Sequence, residues 1–289
     1  MNEARYYTVI DDHSVSCALC PHNCIINNGK SGICGVRRNE DGKLYAASYG
    51  KVSSIALDPI EKKPLNMFHP GKMILSVGSF GCNLRCPFCQ NSEISLRYAE
   101  RWNRSENISP EQIATLAKKH AHYGSIGVAY TYNEPLIGYE FVYDCARQIK
   151  KAGLSNVLVT NGYINSEPLE NLLPHIDAMN IDLKGFTGTF YRKLNGSTAP
   201  VMETIALSHR RCHIEVTTLV IPGENDSEEE VSALAKWIAS LDPDIPLHLS
   251  RFFPRYKYAD REPTEKETII GLRKAARRYL GNVFPIQGG

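Results

Sequence analysis

The chain has 289 residues, enough for one large α/β domain with a small appendage. Its composition, 43% hydrophobic and 22% charged, is that of an ordinary globular protein, with no apolar run long enough to span a membrane. A formal net charge of +2, with only short basic pairs such as Arg277–Arg278, argues against duplex nucleic acid as a partner. The start, MNEARYYTVIDD, is acidic and tyrosine-rich, unlike a secretory signal, so neither membrane attachment nor export is expected and the expected location is the cytoplasm.

Residues 1–70 are rich in turns, with a hairpin-like stretch at 44–60, and read as an N-terminal accessory module. From 71 to 289 short apolar strands alternate with amphipathic helices. Strands are predicted at 73–79, 125–131, 156–160, 178–184, 212–222 and 246–252. The helix at 109–124 opens with Ser109 as cap, Pro110 in the first turn and Gln112 completing a capping box. Further helices follow near 141–153, 166–173, 187–194, 200–208, 227–241 and 264–280. Six β/α units imply parallel pairing with right-handed crossovers. The fold class expected is α/β, a partial (β/α)6 TIM-like barrel carrying a small cysteine-rich module. In such barrels the chemistry gathers at the C-terminal ends of the strands.

The nine cysteines are unevenly placed. In a reducing compartment, clustered thiols bind metal more often than they form disulfides. GCNLRCPFCQN (81–91) follows the first strand and carries Cys82, Cys86 and Cys89 in CxxxCxxC spacing. Three thiolates on a tight loop can hold three corners of a 4Fe–4S cubane, leaving the fourth iron open to bind and reduce a ligand. A zinc knuckle short of its fourth ligand is the plainer alternative, but it does not account for the placement at a strand end. CALCPHNCIINNGKSGIC (17–34) supplies Cys17, Cys20, Cys24 and Cys34, with His22 as a substitute ligand. Four soft ligands can close a tetrahedral zinc site or bind a second cluster. Both remain open, with a slight lean to Zn2+ because no second CxxC pair of the ferredoxin sort is present. Cys145, mid-helix, and Cys212, at a strand start, read as core.

The CxxxCxxC motif, with the aromatic Phe88 before its third cysteine, resembles the radical SAM superfamily. That resemblance implies a 4Fe–4S cluster whose open iron is chelated by S-adenosylmethionine, and an electron donor such as flavodoxin or ferredoxin. TYNEP (131–135) resembles the superfamily's acidic motif, which implies that Glu134, with Asn133 beside it, holds the ammonium of the methionine moiety. TNG (160–162), with Asn161, and DLKG (182–185) resemble the ribose and carboxylate contacts of glycyl-radical activating enzymes. They imply Asp182 for the ribose and Lys184 for the carboxylate. TTLVIPGEND (217–226) resembles the adenine-side segment, with Val220 and Ile221 as an apolar surface. Those activators often carry a histidine late in the sixth strand; here that stretch is Phe252–Phe253, and His248 lies earlier as a candidate near the mouth. The whole chain, including DPIEKKPL (58–65) and FHPG (68–71), is similar to the AmmeMemoRadiSam-system radical SAM proteins, relatives of pyruvate formate-lyase activating enzyme. The function implied is reductive cleavage of S-adenosylmethionine to a 5′-deoxyadenosyl radical. That radical takes hydrogen from an unidentified protein, peptide or small molecule. Glycyl-radical activation is one case, and a cluster-bearing adaptor in an assembly is the alternative.

Overall fold

The structure, a computed structural model, describes residues 2–96, 102–103 and 105–286. Its centre is an eight-stranded sheet in strict chain order. We label its strands β1 (Ser54–Pro59), β2 (Met73–Gly78), β3 (Ser125–Thr131), β4 (Ser155–Thr160), β5 (Ala178–Asp182), β6 (His213–Val220), β7 (Leu247–Arg251) and β8 (Val283–Ile286). From β2 to β8 every pairing is parallel, whereas β1 lies antiparallel along β2. No bond joins β1 to β8 in this sheet, so it curls into a partial barrel with a lateral opening. The connections between successive parallel strands carry the helices α1 (Pro110–Ala121), α2 (Tyr139–Lys151), α3 (Ser166–Leu172), α4 (Gly188–Lys193), α5 (Thr198–His209), α6 (Glu228–Leu241) and α7 (Lys266–Ala276). Strand residues such as Leu75, Val128, Leu158, Ile181, Val216 and Leu247 are buried, because helices cover the outer face of a parallel sheet.

The six predicted β/α units are present, and two strands join them. β8 was not foreseen: its four residues include Pro285, which an edge strand tolerates because one side of its backbone needs no ladder bond. β1, read from sequence as part of the accessory module, is hydrogen bonded along the whole of β2. The capping box of α1 is realised, with Ser109 Oγ accepting from the Gln112 amide at 3.2 Å and Gln112 Oε1 accepting from the Ser109 amide at 2.7 Å. None of the described helices is long and apolar enough to cross a membrane.

Residues 60–72, between β1 and β2, fold inward rather than away. Ile60 and Leu65 pack with Ile74, Ala129, Val157 and Ala178. The Pro64 carbonyl accepts from Asn180 Nδ2 at 2.8 Å, and the amides of Asn66 and Met67 donate to Glu215 at 3.0 and 2.7 Å. Glu215 is fully buried and also meets His213 and His248 at 3.0 and 2.6 Å. Burial alone would raise its pKa, but these four donors outweigh burial and take the carboxyl down to about 2. A depressed carboxyl contributes stability that is complete above its ordinary value of 4.5 and is lost as pH falls from there through about 2. Acidification from pH 5 to pH 3 is therefore expected to release residues 60–72 early, seen as faster hydrogen exchange at the Asn66 and Met67 amides than at β4. Equal protection at both pH values would show that Glu215 does not hold residues 60–72.

The N-terminal residues form two small antiparallel sheets, one of Tyr7–Asp11, Ser14–Cys17 and Ile25–Asn27, the other of Asn2–Glu3, Lys43–Ala46 and Arg37–Glu40. They lie against α2 and the loop after β2 through contacts described below.

Candidate functional site

The loop after β2 carries Cys82, Cys86 and Cys89 to the C-terminal end of the barrel. Gly81 makes the approach possible: its φ is +85°, and a Cβ there would sit 2.7 Å from the Cys34 carbonyl oxygen. The three thiols lie within electrostatic reach of one another. Burial pushes all three up, Cys86 to about 12. A soft metal centre takes the place of the thiol protons, which pass to solvent, and its positive charge offsets the cost of burying thiolates. Three such donors fit three corners of a cubane. Among the described residues no three Cys, His, Asp or Glu side chains are placed to share a single metal ion. A cubane spreads its ligands more widely than one ion does.

Around this loop the strand ends converge. Asn133, after β3, is a clamp for the loop: its Oδ1 accepts from the Ser79 amide at 2.8 Å, and its Nδ2 donates to the Phe80 and Gly81 carbonyls at 3.0 and 3.3 Å. Glu134 does not stand at a watery rim. It is 3% exposed and accepts from Thr160 Oγ1 at 2.6 Å, the Asn161 amide at 2.7 Å and the Leu136 amide at 3.0 Å. Burial raises its carboxyl to about 7, even though those three donors pull the other way. Asn161 bridges sites, donating through Nδ2 to Asn83 Oδ1 at 3.0 Å and approaching Cys82 Sγ at 3.6 Å.

At the end of β5, Asp182 and Lys184 pair at 2.9 Å. Burial works against the Lys184 charge, but Asp182 and the Cys86 sulfur outweigh it and hold the ammonium well above its usual range. A carboxylate and a cation, partly exposed beside the cysteines, can each meet a polar group of a bound ligand. Phe88 is buried and stacks on Phe190 at 6.1 Å, which anchors the loop between Cys86 and Cys89. Val220 and Ile221 are fully buried, their side chains within the core. His248 is not at the mouth. It is the second residue of β7, fully buried, bonded to Glu215 and stacked on Phe284. His22 is likewise engaged elsewhere, its Nε2 lying 2.7 Å from the Asn83 carbonyl oxygen.

Sequence reasoning missed three residues behind this site. Tyr132 adopts φ +72°, costly for a residue with a Cβ, and is held there by its hydroxyl on Asp58 at 2.8 Å and by Lys63 Nζ 4.8 Å from the ring centroid. Asp58 also accepts from Lys63 at 2.9 Å and Ser76 at 2.8 Å, and these donors, opposing burial, keep its carboxyl well below the usual range. The only signal in the sequence was the charged run DPIEKKPL, whose partners are distant. Beside Cys89 a cleft of about 310 Å³ opens between Ser54, Glu93, Tyr132, Arg255 and Tyr256. It stands at the C-terminal end of the barrel, beside the cysteine loop.

A family model described as the Radical SAM superfamily matches residues 76–235, more than half of the chain and all of the segment that carries these strand ends. The chain belongs to the radical SAM superfamily. An uncharacterized protein of Methanocaldococcus jannaschii is 42% identical over 292 residues, which cover 98% of this chain and 86% of that relative. The pyruvate formate-lyase 1-activating enzyme of Escherichia coli K12 is 23% identical over 214 residues, covering 69% of this chain and 86% of that enzyme. This agrees with the relationship to activating enzymes that the motifs suggested. In fold, the chain resembles the crystal structure of Streptococcus suis SuiB bound to precursor peptide SuiA, with a TM-score of 0.56 at 12% identity, over 72% of this chain and 46% of that one. This chain is a radical SAM enzyme with a partial barrel. The family implies a 4Fe–4S cluster and S-adenosylmethionine.

Proposed function

We propose that this enzyme cleaves S-adenosylmethionine reductively at a 4Fe–4S cluster held by Cys82, Cys86 and Cys89, and abstracts hydrogen from a substrate entering beside Cys89. The observation that carries the reading is the convergence of the Cys82, Cys86 and Cys89 thiols with Glu134, Asn161, Asp182 and Lys184 on one end of the barrel. Held by Cys82, Cys86 and Cys89 and reduced by an external donor, such a cluster would supply the single electron needed to cleave a carbon–sulfur bond of the sulfonium to methionine and a 5′-deoxyadenosyl radical. The chain's own groups bind and orient. Glu134 offers a buried carboxylate to the methionine ammonium, a charge-assisted contact strengthened by exclusion of water. Lys184 is set to meet the carboxylate and Asp182 a ribose hydroxyl, each by exchanging part of their mutual ion pair for the ligand. Asn133 and Phe88 keep the cysteine loop in place. The enclosing barrel keeps water from the radical.

The reductant is a one-electron donor of the flavodoxin or ferredoxin class, acting in the cytoplasm. The cleft beside Cys89 admits a peptide segment or a small molecule, and glycyl-radical activation is the specific case favoured by the activating-enzyme relatives. Residues 17–34 bind a second soft metal group in this reading. The test is anaerobic: the reconstituted, dithionite-reduced protein is incubated with S-adenosylmethionine and the products are analysed. 5′-Deoxyadenosine and methionine are expected from the parent and not from Cys86→Ala. An intact cofactor pool after reduction of a fully loaded parent protein would refute the assignment and leave the adaptor reading.

A further inference from the structure

Cys17, Cys20, Cys24 and Cys34 lie outside the segment matched by the family model, and the site above makes no use of them. The fold nevertheless gathers them. The Cys17 amide donates to the Cys24 carbonyl at 2.9 Å and the Asn23 amide to the Cys20 carbonyl at 3.1 Å, a tight turn that brings the first three together. Cys24 Sγ is 3.5 Å from where a Cβ on Gly32 would stand, two residues before Cys34. The sulfurs of Cys17, Cys20 and Cys34 are within electrostatic reach of one another.

Beside them sits Arg37, 1% exposed. Its terminal nitrogens are spent on Glu140 and the Arg5 carbonyl, but its Nε is buried with no partner, within electrostatic reach of the Cys17 and Cys34 sulfurs. A buried cation with an unspent donor is ill matched to neutral thiols and well matched to thiolates carrying net negative charge. The four sulfurs are not drawn in to share one ion, as tetrahedral zinc demands.

The group also abuts the first cysteine loop. Asn83, next to Cys82, lies within side-chain reach of Cys20, and its Oδ1 accepts at 3.0 Å from Asn161, the residue that approaches Cys82 Sγ. His22 meets the Asn83 carbonyl at 2.7 Å. The Arg85 guanidinium donates to the carbonyls of Ile33 and of Cys82.

We propose that Cys17, Cys20, Cys24 and Cys34 hold a second iron–sulfur cluster, fully ligated by cysteine, seated through Asn83 against the loop that carries Cys82. With four thiolates no iron is left open, so this cluster takes up one electron and gives one back without binding a ligand. Arg37, whose charge is matched by Glu140, offers these thiolates its unpartnered Nε. The adjacency of two clusters rests on the proposed function, whereas the second site does not.

The experiment compares iron and acid-labile sulfide after anaerobic reconstitution in three proteins: the parent, Cys82→Ala/Cys86→Ala/Cys89→Ala, and Cys17→Ser/Cys20→Ser. About eight irons are expected in the parent and about four in each variant. The first variant leaves the N-terminal module intact, so it reads the second site even if the other variant does not fold. Iron missing from it, whether or not zinc takes its place, overturns the proposal. Iron undiminished in it overturns the first cluster instead. Dithionite-reduced parent protein is then expected to give an electron paramagnetic resonance spectrum broadened by spin coupling, which the Cys82/Cys86/Cys89 variant lacks. Two independent spectra summed in the parent would overturn the seating against the loop.

Discussion

At pH 8, Glu134→Gln is expected to bind S-adenosylmethionine at least about ten-fold more weakly than the parent, with iron content unchanged. A hydrogen bond to a charged group contributes about 1.5–3 kcal/mol, and about 1.4 kcal/mol is a factor of ten in affinity. Glutamine keeps the size and loses the charge. The burial of Glu134 adds a pH dependence. Its carboxyl ordinarily titrates at 4.5 and is raised by burial to about 7, so parent affinity is expected to fall as pH drops from 8 to 6 while that of the variant stays flat. Stability moves the opposite way. Between 4.5 and about 7 the folded protein holds a proton that the unfolded chain has released, so the ligand-free parent loses stability as pH rises through that window, on the order of 3 kcal/mol in all. The variant has no such loss, so its melting point relative to the parent is expected to climb from pH 5 to pH 8. Calorimetric titration and thermal scans across that range check both. Equal affinities at pH 8 would place the ammonium contact elsewhere.

Arg37→Met is expected to be the most damaging single change outside the cysteines, lowering stability by about 3–5 kcal/mol, which is a fall in unfolding midpoint on the order of 10 °C. Arg37 and Glu140 are buried partners, 2% and 3% exposed, with Arg37 Nη1 3.0 and 3.1 Å from the two carboxylate oxygens. Removing the cation strands a carboxylate in the interior, where only the Arg5 amide, at 2.7 Å, still donates to it. The pair fastens the N-terminal sheets to α2. The double change Arg37→Met/Glu140→Leu is expected to recover a good part of the loss, because replacing both members of a buried pair by apolar groups costs much less than breaking it. Anaerobic melting of the metal-loaded proteins decides. A single variant as stable as the parent would show that Glu140 is reached by water.

The two effects differ in how much of them the sequence could announce. TYNEP marked Glu134 as a ligand candidate, but nothing along the chain announced its burial. The burial comes from Thr160 and Asn161, contributed by β4 more than twenty residues on. For Arg37 and Glu140 there was no signal, since the partners are 103 residues apart and each sits in a locally unremarked segment. His248 is a similar case: an isolated histidine on an apolar strand takes its meaning from Glu215 on β6.

What the sequence determined by itself was everything that neighbours along the chain decide. Ser109 and Gln112 cap α1 because a side chain three residues away can reach the free amides of the first turn. Apolar runs of five to eleven residues broken by amphipathic helices could bury themselves only as parallel strands under helices, so the order of β/α units was legible. The spacing of Cys82, Cys86 and Cys89 set three thiols on one loop. Tertiary structure decided the rest. It laid Ser54–Pro59 along β2, packed Ile60 and Leu65 against the barrel strands, buried Glu134 and His248, and brought Cys20 beside Asn83. Each of these depends on which faces meet when the sheet curls. Burial and ion pairing act through space over a few ångströms, so they follow the curvature of the barrel rather than the order of residues.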